Sequence, residues 1–147
     1  MGMQNEIHEQ LSEQARTMYP DTVAVGQLHW PDYLAGVGDS DRELVKFTKQ
    51  EKQAMQDRAG GFPATVVLVV TPTQLFVCAY KSARGVAELK NDIKGWSRDQ
   101  LRVAVSYPYG SADYARIELM TADRRIELDA ADAKGVNATF MQAISTA

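Results

Sequence analysis

Residues 63–80 read PATVVLVVTPTQLFVCAY, and this stretch decides the fold. Ala64 to Val70 is a continuous apolar run rich in valine, which is typical of a strand buried on both faces. Thr71-Pro72-Thr73-Gln74 has the composition of a turn, and Leu75 to Tyr80 is apolar again. The stretch therefore predicts a β-hairpin near the centre of the chain.

Further short strands are predicted on both sides of this hairpin. Thr22 to His29 comes before it, with Gly26 marking a bend or a bulge. Four more predicted strands follow it, at Gly85–Leu89, Leu101–Tyr107, Ala115–Met120 and Arg125–Asp129. Short apolar segments separated by turn residues at this spacing favour a β-rich domain with antiparallel strands.

Three amphipathic helices accompany the strands. The first has one narrow apolar stripe formed by Met3, Ile7, Leu11, Ala15 and Met18, and Pro20 ends it. This stripe must dock either on the body of the domain or on another chain. Ser40 and Glu43 form a capping box that predicts a second helix from Asp41 to Arg58. Val136, Phe140 and Ile144 predict a third helix near the C-terminus, with Asp129 or Asp132 as its cap.

The hairpin at Val66–Val77 resembles the central hairpin of bacterial pleckstrin-homology-like (PH-like) domains, and Trp96-Ser97-Arg98-Asp99-Gln100-Leu101 is similar to the entry to a later strand in such proteins. The resemblance implies an α+β fold, a seven-stranded antiparallel split barrel closed by a C-terminal helix. It implies one domain over residues 1–147. Residues 1–19 would be a helical extension, and residues 40–60 a helical insertion between the first and second strands.

Composition limits the classes of function. The chain has 147 residues, of which 45% are hydrophobic, and a net charge of -3, so a nucleic-acid-binding protein is not expected. Cys78 is the only cysteine, so no internal disulfide or cysteine-rich metal site is expected. Gly36-Val37-Gly38 does not complete a phosphate-binding loop, and neither a cofactor nor a metal is expected. The polar N-terminus lacks a signal peptide, which favours a cytoplasmic protein.

These features predict a non-enzymatic interaction module, either a protein-binding adaptor or a self-associating domain. Aromatic side chains beside proline and glycine suit binding surfaces, because they give a large contact area at low entropic cost. The candidate partner-binding residues are Trp30, Tyr33, Tyr107, Tyr109 and Tyr114, together with Ile7 and Leu11 of the N-terminal stripe.

Two alternatives remain open. Residues 46–102 carry ten basic and five acidic side chains, and Lys46, Lys49 and Lys52 in this basic segment could contact anionic lipid at a membrane surface. The second alternative is a small-molecule or enzymatic pocket near Cys78 or His29.

Overall fold

The computed structural model describes residues 3–31 and 48–145, with side chains from residue 5 onward. Within these ranges the chain forms three α-helices, a short 3-10 turn and seven strands, an α+β arrangement. In chain order the elements are α1 (Met3–Met18), β1 (Ala24–His29), α2 (Lys49–Arg58), β2 (Thr65–Val70), β3 (Gln74–Ala83), β4 (Val86–Ser97), the 3-10 turn η1 (Arg98–Gln100), β5 (Arg102–Ser106), β6 (Tyr114–Met120), β7 (Arg125–Ala131) and α3 (Ala138–Ser145).

The seven strands form one antiparallel sheet in the order β4-β3-β2-β1-β7-β6-β5. β1 joins its two halves, since it pairs with β2 along its whole length and with β7 through His29 and Asp129. The outer strands β4 and β5 do not pair with each other, so the predicted barrel is not closed by hydrogen bonds. Only residues 98–101 connect these two strands, and so short a link requires the sheet to curl.

The central hairpin is confirmed. All five residues from Val66 to Val70 are buried. Leu68 and its even-numbered neighbours pack on the inner face of the curled sheet, whereas Val67 and Val69 pack on the outer face. The Thr71 hydroxyl accepts a hydrogen bond from the Gln74 amide at 2.9 Å and fixes the turn.

Helix α3 covers the inner face. Phe140 is fully buried and lies so close to Gly26 that a Cβ at this glycine would come within 2.5 Å of the ring. The pairing of β1 with β2 runs through Gly26 without a shift, so the glycine accommodates Phe140 and does not mark a bulge. Asn137 holds the start of α3, since its side chain accepts from the Gln27 amide and donates to the Gln27 and Ala131 carbonyls.

Helix α1 covers the outer face of the β1–β4 half. Ile7, Leu11 and Ala15 are buried there against Val25, Val67 and other side chains of this half of the sheet. Ile7, Leu11 and Ala15 of the apolar stripe therefore dock on their own domain, whereas Met18 at the end of α1 is exposed. Ile7 and Leu11, predicted as partner contacts, are core residues because the sheet already covers them.

Two predicted boundaries differ from the structure. α2 begins at Lys49 and not at Asp41, because Thr48 is extended and forms its own capping box with Glu51. The predicted cap at Ser40 and Glu43 lies outside the described residues. The short strand predicted at Gly85–Leu89 continues to Ser97 as β4, and two register shifts against β3 hide its apolar alternation.

Candidate functional site

An open cleft of about 790 Å³ lies between the C-terminal half of β4 and the turn that joins β6 to β7. The segment that connects α2 to β2 forms its third wall. We call this the β4 cleft and define it by its principal lining residues, which are Phe62, Ile93, Lys94, Trp96, Arg124 and Ile126. The wall residues come from four separate parts of the chain, which the curl of the sheet brings together.

Aromatic rings line the bottom of the β4 cleft. Phe62 and Trp96 meet edge to face, with ring centroids 6.3 Å apart and an interplanar angle of 80°. Phe62 is buried and Trp96 is half-buried, whereas the side chain of Ile93 at the mouth is 47% exposed. Such a surface is apolar and rigid, and it remains accessible to a bulky apolar group from a ligand.

Local backbone geometry sets the position of Phe62. Gly60 and Gly61 have φ angles of 71° and 84°, a left-handed conformation that ends α2 and reverses the chain. The Trp30 indole N–H then donates to the Phe62 carbonyl at 2.8 Å. Trp30, predicted as an exposed partner contact, is instead a buried residue that holds one wall of the cleft.

The turn from β6 to β7 forms the opposite wall. The Thr121 hydroxyl accepts hydrogen bonds from the amides of Asp123 and Arg124, each at 3.2 Å. The Thr121 amide donates to the Arg124 carbonyl at 2.9 Å. These bonds within the turn keep Asp123 and Arg124 at the rim of the cleft.

The charge at this rim is mostly positive. Within residues 3–31 and 48–145, the side chains of Lys94 and Arg124 form no ion pair. The neighbouring Arg125 differs, since it pairs with Glu118 and Glu127. Lys94 and Arg124 are therefore available to an anionic group as far as the described residues are concerned, and Asp123 is an acidic side chain that also lines the cleft.

The predicted tyrosines lie at the other end of β6. Tyr107 and Tyr109 are 48% and 49% exposed in the loop before this strand, and Tyr109 packs on Tyr114 with centroids 5.1 Å apart. The Tyr114 hydroxyl donates to Asp129 Oδ2 at 2.6 Å and lies 3.0 Å from His29 Nε2. Since β6 separates this loop from the turn at Thr121–Arg124, the tyrosines and the β4 cleft form two separate surfaces.

An ion pair between Arg116 and Asp129 stabilises the hydrogen-bond network beneath these tyrosines. Arg116 donates to both carboxylate oxygens of Asp129, which is fully buried. Burial raises the pKa of the Tyr114 phenol, and the hydrogen bond to Asp129 raises it further. The phenol stays protonated at neutral pH, so Tyr114 serves as a hydrogen-bond donor within this network.

Cys78 is also protonated at neutral pH. Its side chain is fully buried on the outer face of the sheet, beneath α1. Burial, together with the charge of Asp92, raises the pKa of this thiol to about 11. A protonated and inaccessible thiol is a poor nucleophile, so the structure gives Cys78 a packing role.

The predicted lysines occupy one helix. Lys49 and Lys52 are exposed in the first turns of α2, where Glu51 lies between them and caps the helix. Lys46 and Tyr33 lie outside the described residues. Because Glu51 offsets part of the positive charge, this helix end presents a mixed surface.

Most of the residues that line the β4 cleft were not predicted from the sequence. Phe62, Ile126 and Arg124 carried no recognisable motif, whereas Trp96 belongs to the Trp96–Leu101 segment that resembles a strand entry. Comparison with known protein families found no family model that matches the chain, and comparison with curated proteins found no matching sequence. In the described part of the chain, no helix is long and apolar enough to cross a membrane, and no group of three or more His, Cys, Asp or Glu is arranged to hold a metal ion.

Proposed function

We propose that this protein is a non-enzymatic interaction module and that it binds a polypeptide in the β4 cleft. The observation that carries the proposal is the combination of an aromatic floor, formed by Phe62 and Trp96, with two unpaired cations at the rim. Buried aromatic contacts supply most of the affinity in protein interfaces, and charged rims supply orientation and association rate.

The chemistry of the described groups supports binding rather than catalysis. Tyr114 and Cys78 both have raised pKa values, so neither forms an anionic nucleophile at neutral pH. Asp129 is already engaged by Arg116 and Tyr114. These groups have packing and positioning roles, whereas in the β4 cleft Ile93, Lys94 and Arg124 are exposed to solvent and Trp96 is half-buried.

We further propose that the curled sheet is a PH-like split barrel. The strand order places consecutive strands β4 and β5 at the two outer positions, and α3 packs against the inner face between the sheet halves. This arrangement fits the fold that the central hairpin resembles. PH-like domains bind protein segments or lipids, so the fold alone does not choose between a polypeptide and a membrane.

The test is selection of binders from a display library of random peptides, with the purified full chain as the target. Selected peptides are then measured against two charge-reversed variants. Lys94→Glu with Arg124→Glu changes the rim of the cleft, and Lys49→Glu with Lys52→Glu reverses two equally exposed cations on α2 as the matched control. We expect the first variant to weaken binding and the second to leave it unchanged.

Vesicles with and without anionic lipid form a second arm of this experiment. If no peptide is enriched, or if the enriched peptides bind both variants equally, a polypeptide-binding cleft is excluded. Salt-sensitive binding to anionic vesicles that is lost on reversal of Lys49 and Lys52 would instead establish the membrane alternative.

A further inference from the structure

The N-terminal half of β4 has its free edge sealed by two glutamines of α1. Gln10 donates to the Gly85 carbonyl at 2.8 Å and accepts from the Ala87 amide at 2.8 Å. One turn later, Gln14 donates to the Ala87 carbonyl at 2.9 Å and accepts from the Leu89 amide at 2.7 Å. The two side-chain amides therefore occupy the positions that a neighbouring strand would use.

This seal does not extend to the C-terminal half of β4. The last contact of the α1 segment with the strand is the hydrogen bond from the Tyr19 hydroxyl to Asp92, after which Pro20 turns the chain toward β1. Beyond Asp92, β4 continues through Ser97 with one further register shift against β3. Within the part of the chain that the structure describes, the edge is thus closed over Gly85–Leu89 and uncovered over Lys94–Ser97.

The pairing with β3 shows which backbone groups are uncovered. The Arg98 amide donates to the Thr73 carbonyl at 2.8 Å. In an antiparallel ladder the hydrogen-bonded pairs alternate, so Trp96 and Lys94 use their backbone groups toward β3. Gly95 and Ser97 then direct theirs away from β3, and no other group in the described ranges pairs with them.

These uncovered groups border the β4 cleft. We propose that an extended segment of a partner protein adds to β4 as a further strand, pairing with the backbone of Gly95 and Ser97. Alternate side chains of that segment would point toward the cleft, where the floor of Phe62 and Trp96 takes a bulky apolar residue. This inference rests on the polypeptide-binding function proposed above and specifies how the polypeptide binds.

Charge identifies the chemistry of the partner. Lys94 and Arg124 line the cleft that the uncovered edge borders. They favour an acidic residue beside the apolar one in the added strand.

The experiment uses the display-selected peptides and two substitutions at Ser97. This residue has φ -69°, which proline adopts without strain. Ser97→Pro removes the outward N–H, whereas Ser97→Ala keeps it and removes only the hydroxyl that donates to Asp99. We expect Ser97→Pro to weaken peptide binding about tenfold and Ser97→Ala to change it less than about twofold.

The peptides are also resynthesised with single N-methyl groups along their backbone. Strand addition predicts that methylation of every second amide abolishes binding, whereas methylation of the amides between them has little effect. If the peptides bind in the cleft but Ser97→Pro binds as well as Ser97→Ala, or if methylation shows no alternation, strand addition is overturned and the polypeptide-binding function stands. If no peptide is selected at all, both proposals fail together.

Discussion

The two halves of strand β4 differ in how their free backbone edge is covered. Over Gly85–Leu89, glutamine side chains of α1 hydrogen-bond to the free backbone edge. Over Lys94–Ser97, no group in residues 3–31 and 48–145 covers the edge in this way, and the edge borders an aromatic cleft. Exposed strand edges promote unwanted pairing, and proteins usually block them. The strand addition proposed above would use the half of this edge that the glutamines do not cover.

Register shifts separate these two halves. Between Leu89 and Lys94, two additional residues in β4 break the regular pairing with β3. Such bulges bend the strand and increase its local twist. The bend lets the first half of the strand follow α1 on the outer face while the second half forms a wall of the cleft.

The largest expected effect is a difference in the free energy of unfolding between two substitutions. One changes an apolar side chain packed near the sealed half of β4, and the other changes an apolar side chain in the open half. Leu11 is fully buried between α1 and the sheet, whereas Ile93 is 47% exposed at the cleft. Leu11→Ala should lower the free energy of unfolding by about 2–5 kcal/mol, because it removes buried methyl groups and leaves a cavity. Ile93→Ala should change it by about 0.5 kcal/mol or less. Urea denaturation measures both values.

A small effect of Leu11→Ala would contradict the docking of α1 on the sheet. The predicted stripe of Met3, Ile7, Leu11, Ala15 and Met18 would then be available to another chain, and self-association would again be favoured. Analytical ultracentrifugation of the wild-type chain would decide that point, since an exposed stripe predicts association that depends on concentration.

The sequence predicted the existence of α1 and its apolar face but left its docking partner open. Periodicity identifies which side chains must be buried, and it contains no information about what buries them. The hairpin at Ala64–Tyr80 was easier to predict, because a short valine-rich run bounded by turn residues strongly favours a buried strand. The full length of β4 was missed because its bulges interrupt the alternation that marks a strand.

The second expected effect concerns the pH dependence of the free energy of unfolding that arises from Cys78, which is buried beneath α1. Burial raises the pKa of Cys78 from 9.0 to about 11, so the folded protein holds this proton more tightly than the unfolded chain. The resulting stabilisation is fully present below pH 9 and is lost as the pH rises toward 11. A shift of this size corresponds to about 3 kcal/mol.

Urea denaturation at a series of alkaline pH values tests this expectation, with Cys78→Ala as the comparison. The variant should lose less stability than the wild type between pH 9 and pH 11, whatever its stability at neutral pH. Tyr19 and Tyr114 also have raised pKa values, and both tyrosines are present in the two proteins that are compared. Equal pH slopes for the two proteins would show that the thiol is accessible to solvent.

A smaller effect is expected from the glutamine seal itself. Gln14→Ala removes two hydrogen bonds to β4 and leaves the strand edge to water, which should cost about 1 kcal/mol. Gln100→Ala changes an exposed glutamine at the cleft and should have almost no effect on stability. In the first variant the Leu89 amide should exchange its hydrogen faster, as measured by NMR. Unchanged exchange at Leu89 would mean that Gln14 does not protect this edge.

The candidate site was harder to predict than the fold. Its walls come from Phe62, Trp96 and the segment 121–126, three regions that are far apart in sequence and are brought together by the curl of the sheet. Two of the predicted aromatic contacts have other roles, since Trp30 is buried and Tyr114 anchors a polar network, whereas Tyr107 and Tyr109 are exposed. Gln10 and Gln14 occupy polar positions of an amphipathic helix. Their hydrogen-bond partners are backbone groups at the edge of β4, which the pattern of side chains in the sequence cannot identify.

The smallest expected effect lies at the open half, where proline should be tolerated. Ser97 already has a backbone angle that suits proline, and its N–H has no partner within the described ranges. Ser97→Pro should therefore change the free energy of unfolding by less than about 1 kcal/mol. Ala87→Pro, in the sealed half, removes the N–H that donates to Gln10 and should cost more. Thermal denaturation of both variants measures the contrast, and a Ser97→Pro variant as unstable as Ala87→Pro would show that the second half of β4 is covered as well.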